Sequence, residues 1–185
     1  MNWARKSRLG IALTSLGGWG KSPSPIRILR GTINIAGSGL ATNTATITPA
    51  VASTRTLLIK PTQGNYLGAG EFRTSLALST DGTTVTATAT SASGDVDVQY
   101  ELHEYGAFAF KSIERGTVTV TAGNLTGTDA LTRDVSGRYS LTSLGIIGDN
   151  DTGVLDLNTA STVRLTLPLT LGNDSDCAYQ IVAFW

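Results

Sequence analysis

The sequence contains an internal duplication, and this limits the folds open to the chain more than any other feature. Residues 30–33 (RGTI) return as residues 115–118 (RGTV), and residues 95–102 (DVDVQYEL) return as residues 174–181 (DSDCAYQI). Shorter matches lie between these in the same order: Ile47-Thr48 with Leu131-Thr132, Val51 with Val135, Thr84-Val85 with Thr162-Val163, and Thr88 with Thr166. Because the spacing between matched residues changes only by loop-sized steps, the sequence predicts two copies of one structural unit.

The matched segments divide the chain into three parts. We expect an extended, basic and apolar N-terminal arm at residues 1–25, a first β unit at residues 26–105 and a second β unit at residues 110–185. The predicted fold class is all-β, with two tandem duplicated units that are each a β-sandwich or a β-barrel.

Alternating side chains indicate short strands in both units. Val85, Ala87 and Ala89 alternate with threonines, and in residues 96–103 apolar side chains alternate with Asp, Gln, Glu and His. This period of two is typical of a strand with one face in a core. The 28 threonines favour the same structure because threonine suits pleated, half-buried surfaces. The strands predicted in the first unit are Ile26–Ala36, Thr44–Thr48, Arg55–Lys60, Phe72–Leu78, Thr83–Thr90 and Val96–Tyr105.

Glycines mark predicted turns. The Asp81-Gly82 step is a strong hairpin signal between two strands of the first unit. The glycine-rich residues 17–20 and 64–68 do not complete the G-x-x-x-x-G-K-S/T pattern of a phosphate-binding loop, so we predict that they form plain loops.

Positive charge is concentrated in the first part of the chain. Residues 1–70 contain eight basic residues and no acidic residue, whereas residues 71–185 contain six basic and fourteen acidic residues. This asymmetry indicates an electropositive end that meets an acidic partner or nucleic acid, unless it is an accident of two divergent repeats. No recognised nucleic-acid module surrounds the basic residues, so we expect no specific nucleic-acid binding.

The N-terminal arm has too few apolar side chains to form a core of its own. Ordering it costs about 1–2 kcal/mol per residue in backbone entropy, which burial of its large apolar side chains against another subunit would offset. We therefore expect an arm that binds a protein partner and a homo-oligomer, with a trimer by analogy. The candidate partner-binding residues are Trp3, Arg5, Lys6, Arg8, Trp19 and, at the other end of the chain, Trp185.

The first 20 residues imitate a secretion signal, because basic residues precede the apolar run at residues 9–16. That run is short, is interrupted by Gly10 and is not followed by a clean cleavage site, so we interpret it as mature protein. No segment approaches the roughly 20 apolar residues of a transmembrane helix, so we expect no membrane partner.

Residues that could carry chemistry are few and scattered. Cys177 is the single cysteine, which excludes an intrachain disulfide and zinc sites built from several cysteines. Its match with Val98 predicts a small core side chain. His103, the only histidine, is predicted beside Glu101 on the polar face of a strand. We therefore expect no catalytic site, no enzyme activity and no cofactor.

Acidic loops raise the question of calcium binding. Asp95 and Asp97, repeated as Asp174 and Asp176, precede or begin the last strand of each unit, and residues 149–153 (DNDTG) form an acidic loop. Calcium prefers such oxygen-rich loops, but aspartate and asparagine also bond to their own backbone in turns. No EF-hand or nonapeptide pattern is present, so we prefer the turn interpretation and expect no metal.

Both units open on an R-G-T strand, and the first closes on Glu104-Tyr105. In this the chain resembles small β-rich virion structural proteins of tailed bacteriophages, which often open on an I-x-R-G-T strand and close on an acidic residue and an aromatic one. The second unit departs from this pattern because it ends on Ala183-Phe184. The resemblance covers most of both units and implies a virion structural role.

The expected function is therefore that of a non-catalytic phage virion protein, assembled in the host cytoplasm and located in the virion. We favour a capsid decoration or accessory protein that is anchored to capsid or other virion proteins by its N-terminal arm. One alternative is a tail, head–tail junction or fibre protein. An alternative of another class is a carbohydrate-binding β-sandwich, for which Tyr66 and Tyr105 would be exposed loop aromatics.

Overall fold

The structure is a computed structural model, and it describes residues 23–37, 39–61, 63–66, 73–91, 95–135, 137–147, 153–170 and 172–185. The described elements are thirteen strands and one short 3-10 turn at Ser53–Arg55, so the predicted all-β fold is confirmed. In chain order the strands are β1 (Arg27–Ile35), β2 (Gly39–Thr46), β3 (Thr56–Ile59), β4 (Gln63–Tyr66), β5 (Arg73–Leu78), β6 (Thr84–Ser91), β7 (Val96–Glu104), β8 (Ser112–Val120), β9 (Thr126–Ala130), β10 (Tyr139–Ile147), β11 (Val154–Thr159), β12 (Thr162–Thr166) and β13 (Ser175–Ala183).

The first unit is a sandwich of two antiparallel sheets. One sheet has the order β1-β7-β3, and the short strand β4 continues the edge that β3 begins, because both pair with β7 on the side away from β1. The other sheet has the order β2-β6-β5. Both sheets contribute to one core, in which Val85, Ala87 and Ala89 are fully buried, as their alternation predicts.

The second unit repeats this arrangement, with the single strand β10 in place of β3 and β4. Its two sheets have the orders β8-β13-β10 and β9-β12-β11, so β8 corresponds to β1, β10 to the β3–β4 edge, β11 to β5 and β13 to β7. Cys177 is fully buried in the second core, at the position that Val98 holds in the first. The predicted duplication and the predicted core position of Cys177 are confirmed.

The duplication extends to single hydrogen bonds. Asp95 accepts a hydrogen bond from the backbone N–H of Gly37 at 3.1 Å, and Asp174 accepts one from the backbone N–H of Ala122 at 2.8 Å. Each aspartate thus ties the chain before the last strand of its unit to the turn that follows the first strand. These bonds join residues 58 and 52 positions apart, so they are not the bonds to the aspartates' own backbone that the turn interpretation predicts.

The glycine of each R-G-T segment faces a tyrosine on the neighbouring strand. Gly31 pairs with Tyr100, and Gly116 pairs with Tyr179. A Cβ atom at either glycine would overlap the tyrosine ring, which explains why glycine stands in the middle of a strand, where it is otherwise unfavourable. The Tyr179 hydroxyl also donates a hydrogen bond to Asp129 at 2.8 Å, which holds the ring in place.

Two segments of the first unit differ from the predicted strands. Gln63–Tyr66 forms β4, so the prediction of a plain loop at residues 64–68 is wrong for residues 64–66, and residues 67 and 68 lie outside the described residues. Pairing with β7 makes β4 a strand without an alternating apolar pattern. The strand β2 begins at Gly39 because its pairing with β6 extends five residues before the predicted start at Thr44.

We predict that Gly116→Ala lowers the free energy of unfolding by about 2 kcal/mol, because the added methyl group must displace the buried ring of Tyr179. Gly106→Ala is the matched control, since a Cβ at Gly106 meets no atom within 4 Å. Chemical denaturation of both variants measures the difference. Equal unfolding midpoints for the two variants would contradict the packing of Tyr179 over Gly116.

Candidate partner-binding surfaces

The two units pack against each other through the outer face of the β8-β13-β10 sheet. Along β13, the odd-numbered residues 177–183 lie in the core of the second unit. The even-numbered residues Ala178, Gln180 and Val182 point the other way, yet they are also buried. Ala178 belongs to the core of the first unit, so the second unit covers one side of that core.

A β-bulge in β10 points a side chain larger than that of Ala178 into the first unit. The pairing of β10 with β13 shifts between Ser143 and Gly145, and Gly145 has a φ of +128°. A side chain at Gly145 would also overlap the carbonyl of Thr74 on β5. The bulge turns Leu144 away from its own unit, because a bulge re-aims the side chains beside it. Leu144 is 2% exposed and lies in the core of the first unit.

Arg115 and Gln180 bind backbone groups of the first unit at this contact. The Arg115 guanidinium donates to the carbonyls of Ser53 and Thr56 and, through Nε, to Gln180 Oε1 at 3.0 Å. The same Gln180 oxygen accepts a hydrogen bond from the backbone N–H of Leu58 at 3.0 Å. Burial lowers the pKa of Arg115 to about 10, which leaves the side chain charged at neutral pH.

Lys60 brings a second buried charge to the contact. Its Nζ donates to the Thr74 carbonyl at 2.5 Å, and burial lowers the pKa of Lys60 to about 8. The nearby Cys177 thiol opposes this shift by a smaller amount. Burial raises the pKa of Cys177, whose Sγ lies 3.4 Å from Ser143 Oγ, so the thiol stays neutral at neutral pH.

The corresponding face of the first unit carries a polar cluster. Glu101 accepts a hydrogen bond from Arg30 Nε at 2.8 Å and lies 2.8 Å from His103 Nε2. These two hydrogen bonds hold the pKa of Glu101 below its usual range. The prediction that His103 lies beside Glu101 on the polar face of a strand is confirmed.

Aromatic side chains gather where the connection between the units meets the end of the chain. The rings of Tyr105 and Phe110 lie 4.9 Å apart and those of Phe110 and Phe184 lie 5.8 Å apart, both edge to face. Trp185 Nε1 donates to the Phe108 carbonyl at 3.0 Å. Trp185 is 74% exposed and Phe108 is 85% exposed. We call these five residues the aromatic end.

The chain enters the first unit beside the aromatic end. The backbone N–H of Ile26 donates to the carbonyl of Glu104 at 2.8 Å, directly before Tyr105. The Glu104 carboxylate is buried and forms ion pairs of 3.2 Å with both Arg27 and Arg55. Because leaving the buried Glu104 carboxylate without a partner would be costly, these contacts fix the position at which the chain enters β1.

Trp185 is the predicted partner-binding residue that the structure describes. The other five, Trp3, Arg5, Lys6, Arg8 and Trp19, lie outside the described residues. Sequence reasoning did not single out Phe108, which has a positive φ of 70° in the connection between the units. A large apolar residue in a short connection between two cores is the signal that could have identified it.

The second pair of repeated aspartates bonds across strands. Asp97 accepts from the Asn34 amide at 2.9 Å, and Asp176 accepts from the Thr119 hydroxyl at 2.6 Å. Within the described residues, no group of three or more His, Cys, Asp or Glu side chains is placed to hold a metal ion. Nor does that part of the chain contain a helix long and apolar enough to cross a membrane. Asp149 and Asp151 lie outside the described residues.

Comparison with known proteins identifies no relative: no protein-family model, no curated protein and no solved structure matches this chain. The resemblance to virion proteins of tailed phages therefore stays a prediction.

The buried Lys60 predicts a pH dependence of stability. Below pH 8 the lysine is protonated in both the folded and the unfolded chain. The free energy of unfolding is then lowered by the full cost of burying the lysine charge. Between pH 8 and its unfolded value of 10.5 the unfolded chain binds more protons, so stability rises with pH. We predict that the wild type gains about 1–2 kcal/mol relative to Lys60→Met between pH 7 and 9.5.

Urea denaturation at several pH values measures this difference. The matched control is Lys111→Met, because it also removes a lysine charge but at an exposed position outside the contact between the units. A Lys60→Met difference that stays constant with pH would contradict the burial of the Lys60 charge.

Proposed function

We propose that this chain is a non-catalytic structural protein of a tailed-phage virion, bound to the capsid surface as a decoration or accessory protein. The observation that carries the proposal is that the chain enters β1 at the same end of a duplicated β scaffold as two exposed aromatic rings. Ile26, which follows the basic residues 1–25 in the sequence, lies beside Glu104, and the exposed rings of Phe108 and Trp185 lie at the same end.

The proposed mechanism is mechanical. Residues 1–25 contain four basic residues and no acidic residue, which suits an acidic surface on a capsid subunit. Large aromatic side chains such as Trp185 are enriched at the centres of protein interfaces, where they contribute most of the binding energy. The β units would clamp adjacent capsid subunits and oppose internal pressure.

The charge of the second unit supports an orientation. Residues 110–185 contain five basic and eight acidic residues, so this unit would face solvent or a neighbouring copy rather than the acidic partner surface. We also propose that copies of the chain associate as a homo-oligomer on the particle. In a tail, head–tail junction or fibre location the protein would use the same scaffold but would bind a virion protein other than the capsid protein.

Carbohydrate binding is the second candidate function, and the exposed rings of Phe108 and Trp185 favour it. Tyr105, which this role was expected to expose, is half-buried and packs edge to face on Phe110. The side chain of Tyr66 lies outside the described ones.

The test uses the phage whose genome encodes this chain. We predict that purified virions contain the chain, that electron microscopy places it on the capsid, and that heads lacking it lose their DNA at a lower temperature. Added wild-type protein should bind these heads and restore their stability. Trp185→Ala should bind at least about tenfold more weakly because it removes an aromatic anchor.

Leu40→Ala is the matched control, because Leu40 is 70% exposed on the first unit and should bind heads like the wild type. Absence of the chain from purified virions would contradict the proposal. Its presence on the tail alone would select the tail alternative. Binding to a glycan array that is lost in Trp185→Ala would select carbohydrate binding.

A further inference from the structure

Among the described residues, none covers one side of the second unit's core in the way that the second unit covers the core of the first. In the first unit, Leu58 of β3 and Leu76 and Leu78 of β5 are 1%, 1% and 8% exposed, because the second unit packs over this side. The repeat places Leu141 of β10 and Leu155 and Leu157 of β11 at the corresponding positions. These three leucines are only partly buried. We call them the open side of the second unit.

The first unit of another copy is poorly suited to cover the open side. The face that would have to do so carries Gln99, Glu101 and His103 where the covering face of the second unit carries Ala178, Gln180 and Val182. Burying this cluster against three leucines would move the charged groups of Glu101 and Arg30 and the imidazole of His103 from water onto an apolar surface, which is costly. A head-to-tail repetition of the contact between the units is therefore disfavoured.

The N-terminal segment has the side-chain pattern that the open side requires. Leu9, Ile11 and Leu13 alternate with Gly10, Ala12 and Thr14. In an extended strand this alternation places all three large apolar side chains on one face. The strand β11 lies at the edge of its sheet, and such an edge accepts an added strand through its free backbone groups.

The position of the segment agrees with binding to this side. The described chain begins at Pro23, and the seven residue steps from Leu16 to Pro23 span at most about 25 Å. The aromatic end connects this region to the start of β10, because the backbone N–H of Phe184 donates to the Arg138 carbonyl at 2.9 Å, directly before Tyr139.

We propose that residues 9–16 bind the open side of the second unit of the same chain, as an added strand beside β11. Leu9, Ile11 and Leu13 then cover Leu141, Leu155 and Leu157. This binding places Trp3, Arg5, Lys6 and Arg8 ahead of the added strand, where they can reach a partner. The inference concerns the free chain and does not depend on which partner the protein binds.

Hydrogen exchange of the full chain tests this proposal. In the double variant Ile11→Asp, Leu13→Asp, amide exchange in β11 should accelerate about tenfold relative to wild type, because the apolar cover is lost. Exchange in β5 and β6 should stay unchanged and serves as the internal reference for folding. The matched control Ala12→Asp, Thr14→Asp adds the same charge to the opposite face of the segment and should keep the wild-type rate.

Equal β11 exchange in the wild type and in both variants would overturn the proposal, and so would equal acceleration in both variants. If the protection of β11 disappears on dilution, and light scattering gives a mass above that of the monomer before dilution, the segment binds a second copy of the chain. That result would overturn the proposal that it binds its own chain. As a second measurement, a synthetic peptide of residues 7–18 should restore protection to the Ile11→Asp, Leu13→Asp chain. The peptide with the same two substitutions should not restore it, and restoration by both peptides would also overturn the proposal.

Discussion

A sandwich of two three-stranded sheets leaves one side of its core open between its edge strands, and the structure depends on how that side is covered. In the first unit the edges are β3 and β5, and the cover is the outer face of the second unit's β8-β13-β10 sheet. Leu144 and Ala178 supply apolar surface, and Gln180 accepts the hydrogen bond of the Leu58 N–H. The first core is therefore built from both halves of the chain.

The two repeats diverge mainly where this contact requires it. On β13 the outward residues are Ala178, Gln180 and Val182, and on β7 the corresponding residues are Gln99, Glu101 and His103. The first three residues are buried, and Ala178 and Gln180 among them contact the first unit, whereas Glu101 and His103 form a hydrogen-bonded cluster with Arg30 at the surface. Unlike the outer faces, the inner faces keep their apolar alternation in both units, because each has a core of its own to fill.

Much of the fold could be predicted from the sequence because it depends on local alternation and on the repeat. The buried faces of β6 and β7 and the core position of Cys177 follow from matched residues. The role of Leu144 could not be predicted, since the bulge at Gly145 interrupts the alternation that would indicate its direction. The bond between Leu58 and Gln180 joins residues 122 positions apart, and no pattern within either segment indicates it.

The candidate site was predicted less completely than the fold. Trp185 could be identified as a large ring at the chain end, and the structure places it in the aromatic end. The exposure of Phe108 depends on its backbone conformation in the connection between the units, which the sequence does not encode as a recognisable turn. The burial of Lys60 depends on the contact between the units, so it too could be seen only in the folded chain.

The most direct test of this account is hydrogen exchange in the first unit after a substitution in the second. Leu144→Ala should lower the free energy of unfolding by about 3 kcal/mol and accelerate exchange in β5 and β6, because it opens a cavity in the first core. Leu169→Ala, at a leucine that is 55% exposed on the second unit, should leave both unchanged. Loss of protection in the second unit alone after Leu144→Ala would contradict the shared core.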